Sequence, residues 1–296
     1  MAVIDPKTTP TRDFHQFLLG AVAPRPIAFV STVDEAGNAN LAPYSFFNAF
    51  SSNPPILVFS SNRRVVDNTT KDTLANVTAV KEVVVSVVNH AIVRQMAVAS
   101  VQFDSDISEF AKAGLTPVPA TEVRPYLVKE SPVNMECKVT EIKTLGEHGG
   151  AGHLIICEVL KMHIKDEIID ERGRIDPHKI DLMGRMGRAF YVRASGAAIE
   201  TIVQPVTALT IGYDALPESI KQSKILTGNN LGQLAGLPQA PTEAELEELK
   251  NSDNRVRAVL NAPNAREGLH RLAREILEDD RHRTYGAKIA WLGEGV

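Results

Sequence analysis

The chain has 296 residues, of which 44% are apolar and 23% charged, and its formal net charge is −4. That length holds one large domain or two small ones, and the composition is that of an ordinary globular protein. The acidic balance and the lack of any long Lys/Arg run give no electrostatic footprint for nucleic acid.

The opening segment, MAVIDPKTTPTRDF, lacks a charged-then-apolar signal pattern. The longest apolar stretches, such as Val83 to Val88, fall far short of a bilayer span. The expectation is a cytoplasmic protein with no membrane partner. Cys137 and Cys157 both sit in alternating, strand-like segments and are expected to be buried, reduced thiols.

Residues 26–33 and 39–42 read as a hairpin around Asp34-Glu35-Ala36-Gly37-Asn38, where Gly37 and Asn38 tolerate positive φ. Pro54-Pro55 opens a strand over Ile56 to Ser60. Between them, Leu41-Ala42-Pro43-Tyr44-Ser45-Phe46-Phe47-Asn48 neither alternates nor repeats at helical spacing. A bend that mixes rings with hydroxyl and amide groups suits a flat aromatic ligand with a polar edge. On the residues alone, though, Tyr44, Phe46, Phe47 and Phe50 read first as barrel core, as aromatic-rich stretches usually are.

Asn68 to Val77 reads as a short helix capped by Thr69 or Thr70, with Asp72 in its first turn. Glu82 to Asn89 is a β-branched, buried strand. Ile92 to Ser100 and Ser108 to Ala113 read as short helices, the second closed by Gly114. Asn134 to Leu145 and His153 to Ile164 alternate as paired strands around a flexible glycine-rich tip, Gly146 to Gly152. Short strands with inserted helices predict a β-barrel core rather than a parallel sheet. Composition shifts near Val206, which divides the chain into residues 1–205 and a helical extension, 206–296. In that extension, 217–236 read as a helix pair and Thr242 with Glu245 forms a capping box. Residues 254–279 carry one apolar stripe.

Chemistry gathers in three places. They are the bend Ala42 to Asn48, the strand end Ser60-Ser61-Asn62-Arg63-Arg64, and the helix start Thr70-Lys71-Asp72-Thr73. Strand-end hydroxyls, guanidinium groups and a helix N-terminus make an anion pocket, fit for a phosphate. The plainer alternative is a capped helix with solvated arginines. The histidines show no metal-ligand spacing, and no metal is expected. His153, at the junction of glycine-rich tip and strand, is the candidate for ligand contact or proton transfer, or else an ordinary turn histidine. Neither a Gly-x-Ser-x-Gly elbow, a dinucleotide fingerprint nor a Walker loop is present.

In order, RPIAFVST, GNANLAPYSFFN, PPILVFS, Lys-Asp-Thr followed by Asn76, SEFAKAGL, ESPVNMEC and GRMGRAFY resemble the flavin reductase-like, FMN-binding split-barrel family, most closely its flavoredoxin-type branch. The match covers roughly residues 14–200. The resemblance implies a mainly β fold. It implies a homodimer of six-stranded antiparallel split barrels with inserted short helices, the helical C-terminal extension lying outside the family domain. It implies FMN along Ala42, Pro43, Tyr44, Ser45, Phe46 and Asn48, with Ser60, Ser61, Asn62, Arg63, Lys71, Asp72 and Thr73 around the ribityl chain and phosphate, the choice between Arg63 and Arg64 being open. His153 matches a Gly-Asp-His element near the nicotinamide, and is the candidate catalytic residue. Here Ala151-Gly152 precede it, so the Asp is absent. Gly187-Arg188 stands where relatives carry two glycines, and its side chain narrows access to the flavin.

The implied activity is that of an oxidoreductase. NADH or NADPH would give hydride to bound FMN, and electrons would pass to free flavin, a redox protein or a small organic acceptor. The alternative is an FMN electron carrier without nicotinamide activity, and a third reading is a scaffold with an empty site.

Overall fold

The computed structural model describes residues 1–203 and 209–296, in two compact units, Met1–Ile199 and Glu200–Val296. The boundary expected at 205/206 lies outside the described residues.

The first unit begins with helix α1 (Thr11–Ala21). Strands β1 (Ala28–Val33) and β2 (Ala39–Tyr44) form the expected hairpin, and at its turn only Gly37 takes positive φ. β3 (Phe47–Ser52) and β4 (Pro55–Asn62) follow, then α2 (Asp72–Ala79) and β5 (Glu82–Val87). The short α3 (Val93–Val98) and α4 (Glu109–Ala113) come next, α4 closing at Gly114 with φ 63°. β6 (Pro117–Val118) and β7 (Leu127–Val128) make a small ladder. The long β8 (Val133–Thr144) and β9 (Gly152–Ile164) precede α5 (Pro177–Ile180) and the hairpin of β10 (Met183–Gly187) and β11 (Phe190–Arg193).

The main sheet is antiparallel throughout, in the order β2-β1-β5-β8-β9-β4-β3. Its two edges are β2 and β3, which only Ser45 and Phe46 separate in the chain. Two residues cannot span an open sheet, since an extended chain covers only about 3.3–3.6 Å per residue, so the sheet is rolled until its edges meet. Tyr44 on β2 then packs on Phe59 of β4, ring centroids 5.1 Å apart. Seven strands replace the six expected because one bent strand changes partner at Ser45–Phe46. Its first half pairs with β1 and its second with β4.

The barrel interior takes alternate residues, as the period of two requires. Ala28, Val30, Tyr44, Phe59, Val85, Ile155 and both cysteines line it, and the cysteines are free thiols. Outside it, Phe29 and Leu41 pack in a second core with residues of α3 and α4, so β1 is buried on both faces.

The second unit is helical, with α6 (Glu218–Lys221), α7 (Gly228–Ala235), α8 (Glu243–Ser252), α9 (Asn254–Leu260), α10 (Ala265–Ile276) and α11 (Arg283–Leu292). Thr242 and Glu245 form the expected capping box, and Thr227 with Asn230 forms another. Its own core gathers Ile220, Leu234, Val256, Leu269, Ile289 and Trp291. Among the described residues no helix is long and apolar enough to cross a membrane.

Candidate functional site

The three segments singled out in the sequence converge at one end of the barrel. Thr32 and Asn40 face inward near the ends of β1 and β2, where α2 sits across them. Asn40 Nδ2 donates to Thr73 Oγ1 at 2.9 Å and to Thr32 Oγ1 at 3.1 Å, and Asn76 Nδ2 donates to Thr32 as well. This fastening sets the start of α2 against the barrel rim.

The helix begins later than its sequence indicates. Lys71 is the N-cap, in extended conformation, and no side chain caps α2. Thr69 and Thr70 are otherwise engaged. Arg64 Nη1 donates to Thr69 Oγ1 at 2.7 Å and to the Thr70 carbonyl at 2.8 Å, while Asp67 accepts from the Thr69 amide and hydroxyl. Leu74 N–H turns back to the Lys71 carbonyl, but among the described residues the Asp72 and Thr73 amides have no cap, which favours an anion there.

Cations surround that start. Lys71 Nζ stands 4.8 Å from the Tyr44 ring centroid, and burial together with the nearby Arg64 charge lowers its pKa. Arg63 clamps Asn68 through Nε to Oδ1 and Nη2 to the carbonyl. Among the described residues none of Arg63, Arg64 and Lys71 forms an ion pair with a carboxylate. Of the two arginines between which the resemblance leaves the choice open, Arg64 is the one whose charge Lys71 feels, whereas Arg63 acts on His153.

The opposite wall is the glycine-rich tip. It is pinned rather than free. Asn62 Nδ2 donates to the Gly150 carbonyl, Gly150 N–H to the Arg63 carbonyl, Arg63 N–H to the Ala151 carbonyl, and Asn68 Nδ2 to the Glu147 carbonyl. A Cβ on Gly149 would come within 3.0 Å of the Arg64 carbonyl oxygen, so glycine is what lets the two backbones touch. A Cβ on Gly152 would stand 2.6 Å from Ser60 Oγ, which itself donates to Asn62 Oδ1 at 2.7 Å. That glycine keeps open a cradle beside two polar side chains.

The bend carries its residues in different directions. Ala42 and Tyr44 turn into the core, Pro43, Ser45, Phe46 and Phe47 are half-buried, and Asn48 is exposed. Phe50, offered as core, is 68% exposed. The Phe46 carbonyl accepts from Ser60 N–H at 2.8 Å, tying bend to strand end. Thr73 is buried and Asp72 exposed. Burial pushes the Tyr44 phenol up to about 12, and its hydroxyl faces those of Thr73 and Ser61 without reaching hydrogen-bond geometry with either. Ser61 Oγ is likewise buried without a partner.

His153 pairs across the ladder with Ser61 and shares that inward direction. It is 6% exposed, its Nδ1 meets Thr144 Oγ1 at 3.0 Å, and its Nε2 has no partner. Burial and the Arg63 charge lower its pKa, so the imidazole is neutral at pH 7. A separate cavity of about 200 Å³ between α2 and the 105–109 segment is lined by Asp34, Asp72 and Glu109, the wrong charge for an anion. Glu109 receives the Leu41 amide at 2.9 Å, and burial raises its pKa.

The family model described as flavin reductase like domain matches residues 20–178. An uncharacterized protein of Aquifex aeolicus is 37% identical over 190 residues, 64% of this chain and 94% of that one. Nitrilotriacetate monooxygenase component B from Bacillus cereus is similar in structure, with a TM-score of 0.63 at 30% identity, over 68% of this chain and 98% of that one. The 2-nitrobenzoate 2-nitroreductase of Pseudomonas fluorescens gives a TM-score of 0.62 at 27% identity, over 71% and 100%.

Proposed function

The chain belongs to the flavin reductase like domain family, and on that premise we propose that it binds FMN and works as an oxidoreductase between NADH or NADPH and an electron acceptor. The observation that carries this reading is the set of unpaired cations, Arg63, Arg64 and Lys71, around an uncapped helix start. An FMN phosphate fits that donor set, through charge-assisted bonds from Lys71 and the α2 amides. The cradle kept open by Gly152, beside Ser60 and Asn62, fits the ribityl hydroxyls. The bend from Pro43 to Asn48, with the half-buried rings of Phe46 and Phe47, fits the isoalloxazine.

When bound, FMN supplies two-electron chemistry, taking up hydride from a reduced nicotinamide and releasing electrons to an acceptor. This chain's residues bind and orient. Lys71 and the helix start fix the anionic end. The Ser60 amide holds the Phe46 carbonyl and so sets the bend against which the rings lie. His153 is a positioning residue that holds the ends of β8 and β9 together through Thr144. The acceptor is free flavin, a redox protein or a small organic molecule; a monooxygenase component and a nitroreductase among the similar structures support that range. The active form is a homodimer.

One observation favours a second reading, an FMN electron carrier without nicotinamide activity. His153 faces the barrel interior, away from any site for a nicotinamide outside it. The test is sequential. FMN and riboflavin are titrated against flavin-free protein by fluorescence, with FMN expected to bind far more tightly. The loaded protein is then mixed anaerobically with NADH and NADPH. Bleaching supports the oxidoreductase, no bleaching the carrier, and equal affinity for FMN and riboflavin overturns the phosphate site.

A further inference from the structure

A second group of unopposed cations lies beside the bend, apart from the phosphate cluster. Arg25 precedes β1 and is 5% exposed. Its Nη1 donates to the carbonyls of Leu19 and Val22 at the end of α1, as a cation at a helix C-terminus should. Its other two donor positions, Nε and Nη2, are buried and have no acceptor. They form the side of the guanidinium that grips a carboxylate or phosphate with two parallel bonds. The guanidinium stands 5.9 Å from the Phe46 ring centroid, and the His15 ring meets Phe46 edge-on at 6.2 Å.

Nothing nearby balances the charge. Arg25 and Arg185 exchange backbone hydrogen bonds, Arg25 N–H to the Arg185 carbonyl and the reverse. Burial first and the Arg185 charge second lower the Arg25 pKa, and burial first and the Arg25 charge second lower that of His15. Among the described residues neither arginine pairs with a carboxylate; Arg185 rests 4.5 Å from the Tyr191 ring centroid instead. A buried guanidinium with two of its three nitrogens idle is costly unless another group completes it. Helix capping explains Nη1 and leaves the other edge unexplained.

We propose that Arg25, with Arg185, binds the oxyanion of a small carboxylate- or phosphate-bearing substrate that lies against Phe46. The proposal rests on the flavin reading in one respect, that Phe46 borders the rings, so the bound anion would place its molecule beside them. Arg25 is closed off by its surroundings, and two of these can yield. Phe46 is half-buried, and α1 has no fully buried residue. The alternative source of an oxyanion is the FMN phosphate itself.

The experiment uses benzoate and its neutral isostere benzamide, titrated by calorimetry into FMN-loaded wild type, Arg25→Lys and Arg185→Gln. FMN and riboflavin affinities are measured on the same preparations. Benzoate is expected to bind about tenfold or more tightly than benzamide. Arg25→Lys, which keeps charge but loses the fork, should abolish that preference, and Arg185→Gln should reduce it, with FMN affinity unchanged in both. Equal binding of benzoate and benzamide by the wild type overturns the proposal. So does an Arg25→Lys protein that loses affinity for FMN but not riboflavin, because Arg25 then holds the cofactor phosphate. If Arg25→Lys does not fold, the wild-type ratio and Arg185→Gln decide. If FMN does not bind at all, only the flavin reading falls, and calorimetry on flavin-free protein decides the anion site.

Discussion

Replacing Lys71 by methionine separates what this side chain does for the cofactor from what it does for the fold. The methionine keeps an apolar stem against Tyr44 and deletes the ammonium 4.8 Å from that ring. In the flavin-free protein the ammonium is half-buried, close to Arg64, and in no ion pair among the described residues; burial first and the Arg64 charge second lower its pKa, against a weaker opposing pull from Glu109. Removing an unpaired cation from such a place should stabilise the protein by up to about 1 kcal/mol. Toward FMN the sign reverses. Losing a charge-assisted bond to phosphate costs about 1.5–3 kcal/mol, or about 10- to 150-fold in affinity. Riboflavin, which lacks the phosphate, should bind as before. Urea unfolding of the flavin-free protein and fluorescence titration with both flavins give the three numbers. A variant that is less stable than wild type, or that loses FMN and riboflavin affinity equally, would refute the reasoning.

Three other outcomes are expected. Glu136→Gln should cost about 3 kcal/mol in urea unfolding, because the buried carboxylate accepts from the amides of Thr121, Glu122 and Val123, the Thr121 hydroxyl and His163; a loss under 1 kcal/mol would mean the 121–123 loop is held elsewhere. Tyr44→Phe should raise stability by about 1 kcal/mol, since it removes a buried hydroxyl without a partner; a drop in the unfolding midpoint would show that the hydroxyl is bonded. Stability should also fall as pH is lowered from 7 to 5. Burial lowers the pKa values of His15, His153 and His270 from 6.5, so the unfolded chain takes up protons first below that pH and is favoured. Below pH 5 the loss should continue, because hydrogen bonding holds Glu136 down at about 2. Urea midpoints that stay flat across this range would contradict both assignments.

Much of the barrel was legible because strand patterning is local. The β1–β2 hairpin, β4, β5 and the β8–β9 pair fall where alternation and turn residues place them. The start of α2 was misplaced because its caps were read from residue type alone. Thr69 is a good N-cap in isolation, but Arg64 and Asp67 occupy its side chain, a competition set by the fold of the 63–71 loop. Helix α1 went unread although Phe14, Phe17 and Leu18 have helical spacing after Pro10. The β10–β11 hairpin and α11 were missed too; α11 buries Gly286, Ala287, Ile289, Ala290, Trp291 and Leu292, a nearly continuous run that leaves no single apolar stripe. In the candidate site, the convergence of the three segments followed from their order. The inward turn of Tyr44 and His153 did not, since register decides it. Arg25 opens the RPIAFVST motif in the sequence, but only the structure shows that its Nε and Nη2 are buried and idle.

The two residues that join the sheet's opposite edges have a bearing on how such a protein could change its chemistry. Ser45 and Phe46 are the seam of the barrel, and the same stretch is the proposed bed for the rings. An insertion there would unzip the cylinder along with whatever it holds, so new acceptors cannot be accommodated by lengthening it. Variation has to come from outside the closed wall, from α1 and the β10–β11 hairpin, which meet the barrel through Arg25 and can change elsewhere while the staves stay in register.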